Sequence, residues 1–171
     1  LLYPESFRYL SAANISVMLK SVPVLGVIAL GVGILMIAGE FDLSVGANYT
    51  FSGIVMATMV RDGTFVLAAV VIGLALGIGI GLLNGYITIR FAIPSFIVTL
   101  GAMLFWQGMT LFYHGATSLR FRPPEFFKSL MAGNIGLLQS SFLWYLGLSI
   151  VFWALLHHHK LGNHFFAVGG N

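Results

Sequence analysis

The sequence predicts an all-α, polytopic membrane protein, because it is far too apolar for a water-soluble domain and because its apolar residues form long uncharged runs. Of the 171 residues, 58% are hydrophobic and 8% are charged, and the mean hydropathy is +0.97. Soluble domains carry about 25% charged residues. Uncharged runs long enough to cross a bilayer at about 1.5 Å per residue lie at 21–39, 43–60, 63–89, 91–113 and 129–156.

These runs predict a single transmembrane domain over residues 1–171 with about five helices. The first two runs are barely long enough to cross a bilayer, so the break between them must lie close to a membrane surface or be buried in protein. Residues 1–14 mix proline, aromatic and polar residues, which suits an interfacial segment. We expect the helices at about 15–38, 44–60, 64–89, 94–113 and 139–157, a loop outside the membrane at 114–138 and a tail at 158–171.

The break between the first two helices contains two of the five carboxylates, Glu40 and Asp42. We interpret it as a boundary turn in which Asp42 or Ser44 caps the second helix, since a short side-chain oxygen satisfies free N–H groups there. A proton or cation site is the alternative, because intramembrane carboxylates serve as relays in transporters. No other acid or base lies inside the remaining spans, and a relay needs more than one station.

The third helix follows the turn Arg61-Asp62-Gly63 and carries a row of glycines at every fourth position. Such rows let helix backbones approach closely in lipid. Helix packing is therefore the predicted role of Gly73, Gly77, Gly81 and Gly85.

The fourth helix begins after Pro94. The apolar run that contains this helix ends before a charged segment with Pro123-Pro124. The fifth helix leads into His157-His158-His159. Consecutive residues on a helix point about 100° apart and do not converge on one ion, so we interpret the histidines as an interfacial polar collar rather than a metal site.

Neutral polar residues inside the predicted spans suit either a path for an uncharged, hydroxyl-rich solute or hydrogen bonds between helices. No nucleophile with a base, no phosphate-binding glycine loop and no cysteine is present, so the sequence favours neither an enzyme nor a thiolate metal site. The scattered basic residues give no nucleic-acid footprint. The candidate solute path comprises Asn48, Ser52, Asn84, Thr99 and Gln107.

Three stretches together resemble the permease subunits of ribose/xylose/galactose-type bacterial ABC sugar importers. Residues 39–46, GEFDLSVG, are similar to the family's G-G-I-D-L-S-V-G. Residues 81–104, GLLNGYITIRFAIPSFIVTLGAML, are similar to its G-L-x-N-G stretch followed by a proline and F-I-x-T-L-G. Residues 162–171, GNHFFAVGGN, are similar to its F-G-x-x-x-x-A-I-G-G-N. In the family, the third stretch leads into the helix that couples to the ATPase.

The resemblance implies a transport subunit of the bacterial inner membrane that moves a monosaccharide or polyol by alternating access. It implies a second permease copy, a nucleotide-binding ATPase that holds ATP and Mg²⁺, and a periplasmic solute-binding protein; this chain itself would hold no cofactor. The resemblance assigns ATPase coupling to Gly162, Asn163, Gly169, Gly170 and Asn171, and a structural and coupling role to the turn with Glu40, Asp42, Ser44 and Gly46.

Two features depart from the family pattern. Glu40-Phe41 replaces Gly-Ile before Asp42, and the family's second half would lie beyond residue 171, so we expect the chain to be a piece of a longer protein. The family orientation places the tail at 158–171 in the cytoplasm and residues 1–14 outside. The positive-inside rule opposes this orientation, because it leaves Arg90 and Lys160 inside and Arg8, Lys20, Arg61, Arg120, Arg122 and Lys128 outside.

Two functions of other classes stay open from the sequence. An ion-coupled secondary transporter would use Glu40 and Asp42 and would need no ATPase. A membrane adaptor would use the glycine row to bind another helix and would carry no solute.

Overall fold

The computed structural model describes residues 11–136 and 138–170, and it confirms an all-α architecture. The described part contains seven helices and one antiparallel hairpin of two-residue strands, in which Asn134 pairs with Gln139 and Ile135 with Leu138. In chain order the elements are α1 (Ala12–Ile37), α2 (Val45–Arg61), α3 (Val66–Phe91), α4 (Ser95–His114), α5 (Glu125–Ala132), β1 (Asn134–Ile135), β2 (Leu138–Gln139), α6 (Ser140–His158) and α7 (Lys160–Gly169).

Four of the described helices are long and apolar enough to cross a membrane: α1 from Asn14, α3, α4 and α6. The sequence predicts about five such helices. The difference is α2, whose 17 residues span about 26 Å, less than the hydrocarbon core of about 30 Å. Two helices also occur where we expected a loop and a tail, since α5 lies within 114–138 and α7 within 158–171.

The chain divides into two compact units. The central unit comprises residues 35–124 and contains α2, α3 and α4. The terminal unit combines the described residues up to Ile34 with those from Glu125 onward, and it contains most of α1 together with α5, the hairpin, α6 and α7.

In the central unit, α2 packs against both α3 and α4. The α2–α3 pair is antiparallel, because Asn48 near the start of α2 bonds to Gly77 while Met56 further along α2 contacts Gly73. The aromatic ring of Phe51 on α2 lies 4.7 Å from that of Trp106 on α4, measured between ring centroids. The buried apolar core of this unit is Ala47, Phe51, Ala57, Val66, Ala69 and Ile80.

Only half of the glycine row on α3 packs inside the central unit. A Cβ on Gly73 would lie 3.2 Å from the Met56 Cβ, and one on Gly77 would lie 3.6 Å from the Asn48 Oδ1. Nothing lies within 4 Å of the corresponding positions on Gly81 and Gly85. A four-residue step turns about 40° around an α-helix, so the row rotates by about 120° from its first member to its last.

The helices α1 and α2 end in the same glycine motif. After α1, Gly39 has a φ of 81°, and the Glu40 N–H bonds to the Leu35 carbonyl at 3.1 Å. After α2, Gly63 has a φ of 94°, and the Thr64 N–H bonds to the Met59 carbonyl at 2.9 Å. These six-residue closures with a left-handed glycine are Schellman motifs, which satisfy terminal carbonyls and stop the helix.

In the terminal unit, close contacts fix α1 and α7 relative to α6. A side chain on Gly26 of α1 would collide with the ring of Tyr145 on α6. The α6–α7 break occurs at His159, whose backbone is extended (φ −111°, ψ 149°). The first turn of α7 then places Gly162 against the backbone of Leu156, where a side chain would collide with the Leu156 carbonyl.

Candidate functional site

A polar site that joins three elements of the central unit lies where α2 begins, and we call it the α2 junction. It comprises Asp42, Ser44, Asn84, Ser95 and Thr99, contributed by the break before α2 and by α3 and α4. Ser44 has no exposed surface, and the exposed fractions of Asn84 and Thr99 are 6% and 3%. Buried polar groups of this kind are costly unless they are bonded, and all three are bonded here.

The carboxylate of Asp42 folds back on the chain just after it. Its Oδ1 accepts hydrogen bonds from the Ser44 backbone N–H at 2.7 Å and from the Ser44 hydroxyl at 2.6 Å. Ser44 occupies the N-cap position of α2, but its side chain makes no capping bond to the helix. Of the two residues expected to cap α2, Ser44 therefore makes no cap, and Asp42 bonds to the Ser44 N–H just before the helix rather than to an N–H of α2. The Ser44 hydroxyl instead links Asp42 to another helix.

That other helix is α3. The Nδ2 of Asn84 donates a hydrogen bond of 2.9 Å to the Ser44 Oγ. The Ser44 hydroxyl thus donates to Asp42 and accepts from Asn84, so one chain of two hydrogen bonds runs from the break to α3. Removal of the Ser44 hydroxyl breaks both bonds of this chain.

The helix α4 holds the other side of the break. The Phe41 N–H donates to the Ser95 Oγ and the Leu43 N–H donates to the Thr99 Oγ1, both at 3.2 Å. The Thr99 hydroxyl in turn donates to the Ser95 carbonyl at 2.7 Å. Side chains therefore accept hydrogen bonds from three backbone N–H groups of this non-helical segment, those of Phe41, Leu43 and Ser44.

The junction lies close to the connection between α3 and α4. Asn84 precedes the last residue of α3, Phe91, by seven positions, or about 10 Å along the helix axis. Non-helical backbone inside a membrane protein is tolerated only where protein groups or water satisfy it. The hydrogen bonds from Asp42, Ser95 and Thr99 meet that condition.

Glu40 and Gly46 flank the junction without joining its hydrogen bonds. Within the described part of the chain, the Glu40 carboxylate makes no hydrogen bond or ion pair, and its backbone N–H closes the end of α1. The Gly46 carbonyl accepts a bond of 2.8 Å from Thr50 one turn later.

The five candidate solute-path residues lie in three places. Asn84 and Thr99 belong to the α2 junction. Asn48 and Ser52 lie on the side of α2 that faces α3, where Asn48 donates to the Gly77 carbonyl at 3.1 Å and accepts from Ser52 at 3.1 Å. Gln107 lines a separate groove of about 480 Å³ between α2 and α4, together with Gly46, Thr50 and Thr110.

The predicted coupling segment is mostly a helix. Gly162 and Asn163 lie in the first turn of α7 and Gly169 is its last residue. Gly170 follows as the C-cap, with its N–H bonded to the Phe166 carbonyl at 3.0 Å, and Asn171 lies outside the described residues.

The histidines before α7 contact an aromatic ring or cap the helix. The rings of His157 and His158 lie 5.5 and 5.0 Å from that of Trp153, between centroids. The Nδ1 of His159 accepts a hydrogen bond of 3.2 Å from the Leu161 N–H at the start of α7. These contacts give each of the three rings a local structural role.

Ser95 is the functional-site residue that sequence reasoning missed. It follows Pro94 at the start of α4, a position at which a serine suggests a helix cap and nothing more. Its hydroxyl instead accepts from Phe41, which lies 54 positions earlier in the chain.

The fold and the α2 junction define a multi-pass membrane protein in which one short helix starts from a break whose backbone is bonded to side chains of the neighbouring elements. The family model described as branched-chain amino acid transport system / permease component matches residues 14–171, and the chain belongs to this family of transport permeases.

The sequence relatives are also permeases, and their names refer to sugars. The chain is 32% identical to the xylose/arabinose import permease of Sulfolobus acidocaldarius, over 99% of this chain and 48% of that protein. It is 30% identical to the ribose import permease of Escherichia coli K12, over 96% of this chain and 52% of that protein. The L-arabinose ABC transporter permease of Azospirillum brasilense is 31% identical over 95% of this chain and 48% of its own length. No solved structure matches the chain. The chain spans about half the length of these relatives.

Proposed function

We propose that the protein is the permease subunit of an ATP-driven importer and moves a monosaccharide or a related polyol across a bacterial inner membrane. The single observation that carries the proposal is the match of residues 14–171 to a permease family whose relatives here are named for xylose, arabinose and ribose. ATP and Mg²⁺ would be held by a separate ATPase subunit, and the permease would pair with a second copy.

The polar groups of the central unit support a neutral, hydroxyl-rich solute. The groove between α2 and α4 offers the side chains of Thr50, Gln107 and Thr110 and no charged group. The Gln107 amide can both donate and accept hydrogen bonds, while the Thr50 and Thr110 hydroxyls donate to carbonyls of their own helices and offer an acceptor to a sugar hydroxyl. Pockets for small molecules are commonly about 300–1,000 Å³, a range that includes the 480 Å³ of this groove.

The α2 junction supports a structural role for Asp42 in transport. Its carboxylate is engaged with Ser44, and through Ser44 with α3, while the preceding backbone is bonded to α4. A movement of α2 would therefore carry α3 and α4 with it. We propose that alternating access moves these three helices together when the ATPase subunits close, with α7 as the contact to the ATPase.

Uptake by the reconstituted full-length permease tests the proposal. Proteoliposomes would contain the permease, its ATPase and ATP inside, with the periplasmic binding protein outside, and would be offered labelled xylose, ribose, arabinose and a polyol. We expect uptake of at least one of them that needs all three proteins and ATP. Uptake by the permease alone would favour an ion-coupled transporter, and no flux of any solute in any assembly would favour a membrane adaptor.

A further inference from the structure

We propose that α5, together with the hairpin and the start of α6, rests on the membrane surface and binds the headgroup and upper acyl region of phospholipids. The inference concerns an aromatic groove of about 680 Å³ that includes Phe126, Leu130, Ile135, Leu143 and Trp144. It depends on α6 crossing a membrane and not on which solute is transported.

The sequence of α5 is divided into an apolar and a polar face. At about 100° per residue, Phe126, Phe127, Leu130 and Met131 fall within one arc of about 140°, while Glu125, Lys128 and Ser129 fall on the opposite side. Within the apolar arc, Phe127 is buried, but Phe126 and Leu130 are 52% and 47% exposed. The terminal unit therefore uses only part of the apolar face of α5.

Hydrogen bonds fix α5 to the first turn of a membrane span. The Ser140 hydroxyl donates to the Ser129 carbonyl at 3.0 Å, and the Ser140 N–H donates to the Gly133 carbonyl at 2.8 Å. The Trp144 Nε1 donates to the Leu130 carbonyl at 3.1 Å. Ser140 and Trp144 belong to α6, a candidate span over Ser140–His158, so α5 is held at the level where that span enters the bilayer.

The exposed side chains next to this entry point are those that a lipid interface accommodates. Leu143, Trp144 and Ile135 are 46%, 49% and 58% exposed and continue the apolar patch of α5 onto α6 and the hairpin. Tryptophan is enriched at membrane interfaces, where its ring contacts lipid and its N–H finds a polar partner. On the polar face, the Lys128 ammonium lies 3.5 Å from the Glu125 carboxylate and carries the positive charge that headgroup phosphates attract.

Accessibility of spin labels on the two faces of α5 tests the proposal. The chain contains no cysteine, so the variants Phe126→Cys and Lys128→Cys each offer one labelling position, with any cysteine in the remainder of the full-length permease replaced by serine. The labelled protein is reconstituted in vesicles of phosphatidylethanolamine and phosphatidylglycerol. Electron paramagnetic resonance then measures collisions with oxygen, which concentrates in lipid, and with a water-soluble nickel chelate.

We expect the label at position 126 to collide several-fold more with oxygen than with nickel, and the label at position 128 to show the opposite ratio. Low collision with both reagents at position 126 would mean that protein covers the groove and would overturn the proposal. High nickel collision at both positions would place α5 in water and would also overturn it. The variant Leu130→Cys repeats the measurement on the same face if the first label disturbs folding.

Discussion

The hydrogen-bonded chain from Asp42 through Ser44 to Asn84 predicts an energetic coupling between two residues that lie 40 positions apart. The perturbations are Asn84→Leu, which keeps a similar volume and removes the donor, and Ser44→Ala, which removes the hydroxyl. Asn84→Leu deletes one buried bond. Ser44→Ala deletes the bonds to both Asp42 and Asn84 and leaves the Asn84 amide without that partner.

The magnitudes follow from the number and setting of these bonds. A buried hydrogen bond contributes about 0.5–1.5 kcal/mol in proteins, and bonds between helices in a membrane average about 0.6 kcal/mol with values up to about 1.7. We therefore expect Asn84→Leu to lower the free energy of unfolding by about 1 kcal/mol and Ser44→Ala to lower it by about 2. The double variant should fall short of the sum by about 0.5–1 kcal/mol, because the two losses share one bond.

Reversible unfolding of the full-length permease in mixed detergent measures the four free energies of this cycle. The control pair is Asn84→Leu with Thr110→Val, since the Thr110 hydroxyl bonds only to the Trp106 carbonyl in its own helix. The control losses should add within about 0.3–0.5 kcal/mol. Simple addition of the Asn84 and Ser44 losses within the same margin would refute the bonded junction.

Two further predictions concern glycines. Gly162→Ala should weaken ATP-dependent uptake severely, because its Cβ would collide with the Leu156 carbonyl at the α6–α7 bend. The control, Gly147→Ala on α6, where the space is open, should leave uptake near wild type. Equal effects of the two substitutions on uptake would contradict the role of the bend. Gly77→Leu should destabilise the permease by about 1–3 kcal/mol through overpacking against Asn48 and Ser52, measured by the same detergent unfolding. Gly81→Leu, at a position where nothing lies within 4 Å of an added Cβ, should leave the packing of α2 on α3 unchanged, and an equal loss at both positions would show that the whole row packs there.

The sequence predicts the existence of the main helices well and their partners poorly. The apolar runs locate α1, α3, α4 and α6, since a membrane span needs a long uncharged segment. The motif around Asp42 and Ser44 draws attention to the break, but periodicity reveals only which face a residue occupies. It does not reveal that Ser44 meets Asn84 or that Ser95 meets Phe41, because those contacts depend on how helices cross.

The segments with the weakest hydropathy were the least predictable. The helix α5 lies in a charged, proline-containing stretch, although its sequence EFFKSLMA already separates apolar from polar residues at helical spacing. The helix α7 restarts after the extended His159, a break that neither proline nor a left-handed glycine marks. In the glycine row, identical spacing hides the rotation that takes Gly81 and Gly85 away from α2.

The source of energy for uptake tests the proposed function most directly. In proteoliposomes with the full-length permease, its ATPase and its binding protein, labelled pentose uptake is measured with and without ATP and with the proton gradient collapsed by an ionophore. We predict that uptake requires ATP and survives the ionophore, because Asp42 is engaged in the α2 junction and no described residue forms a relay with it. Uptake that the ionophore and Asp42→Asn both abolish, and that proceeds without ATP, would contradict the proposal.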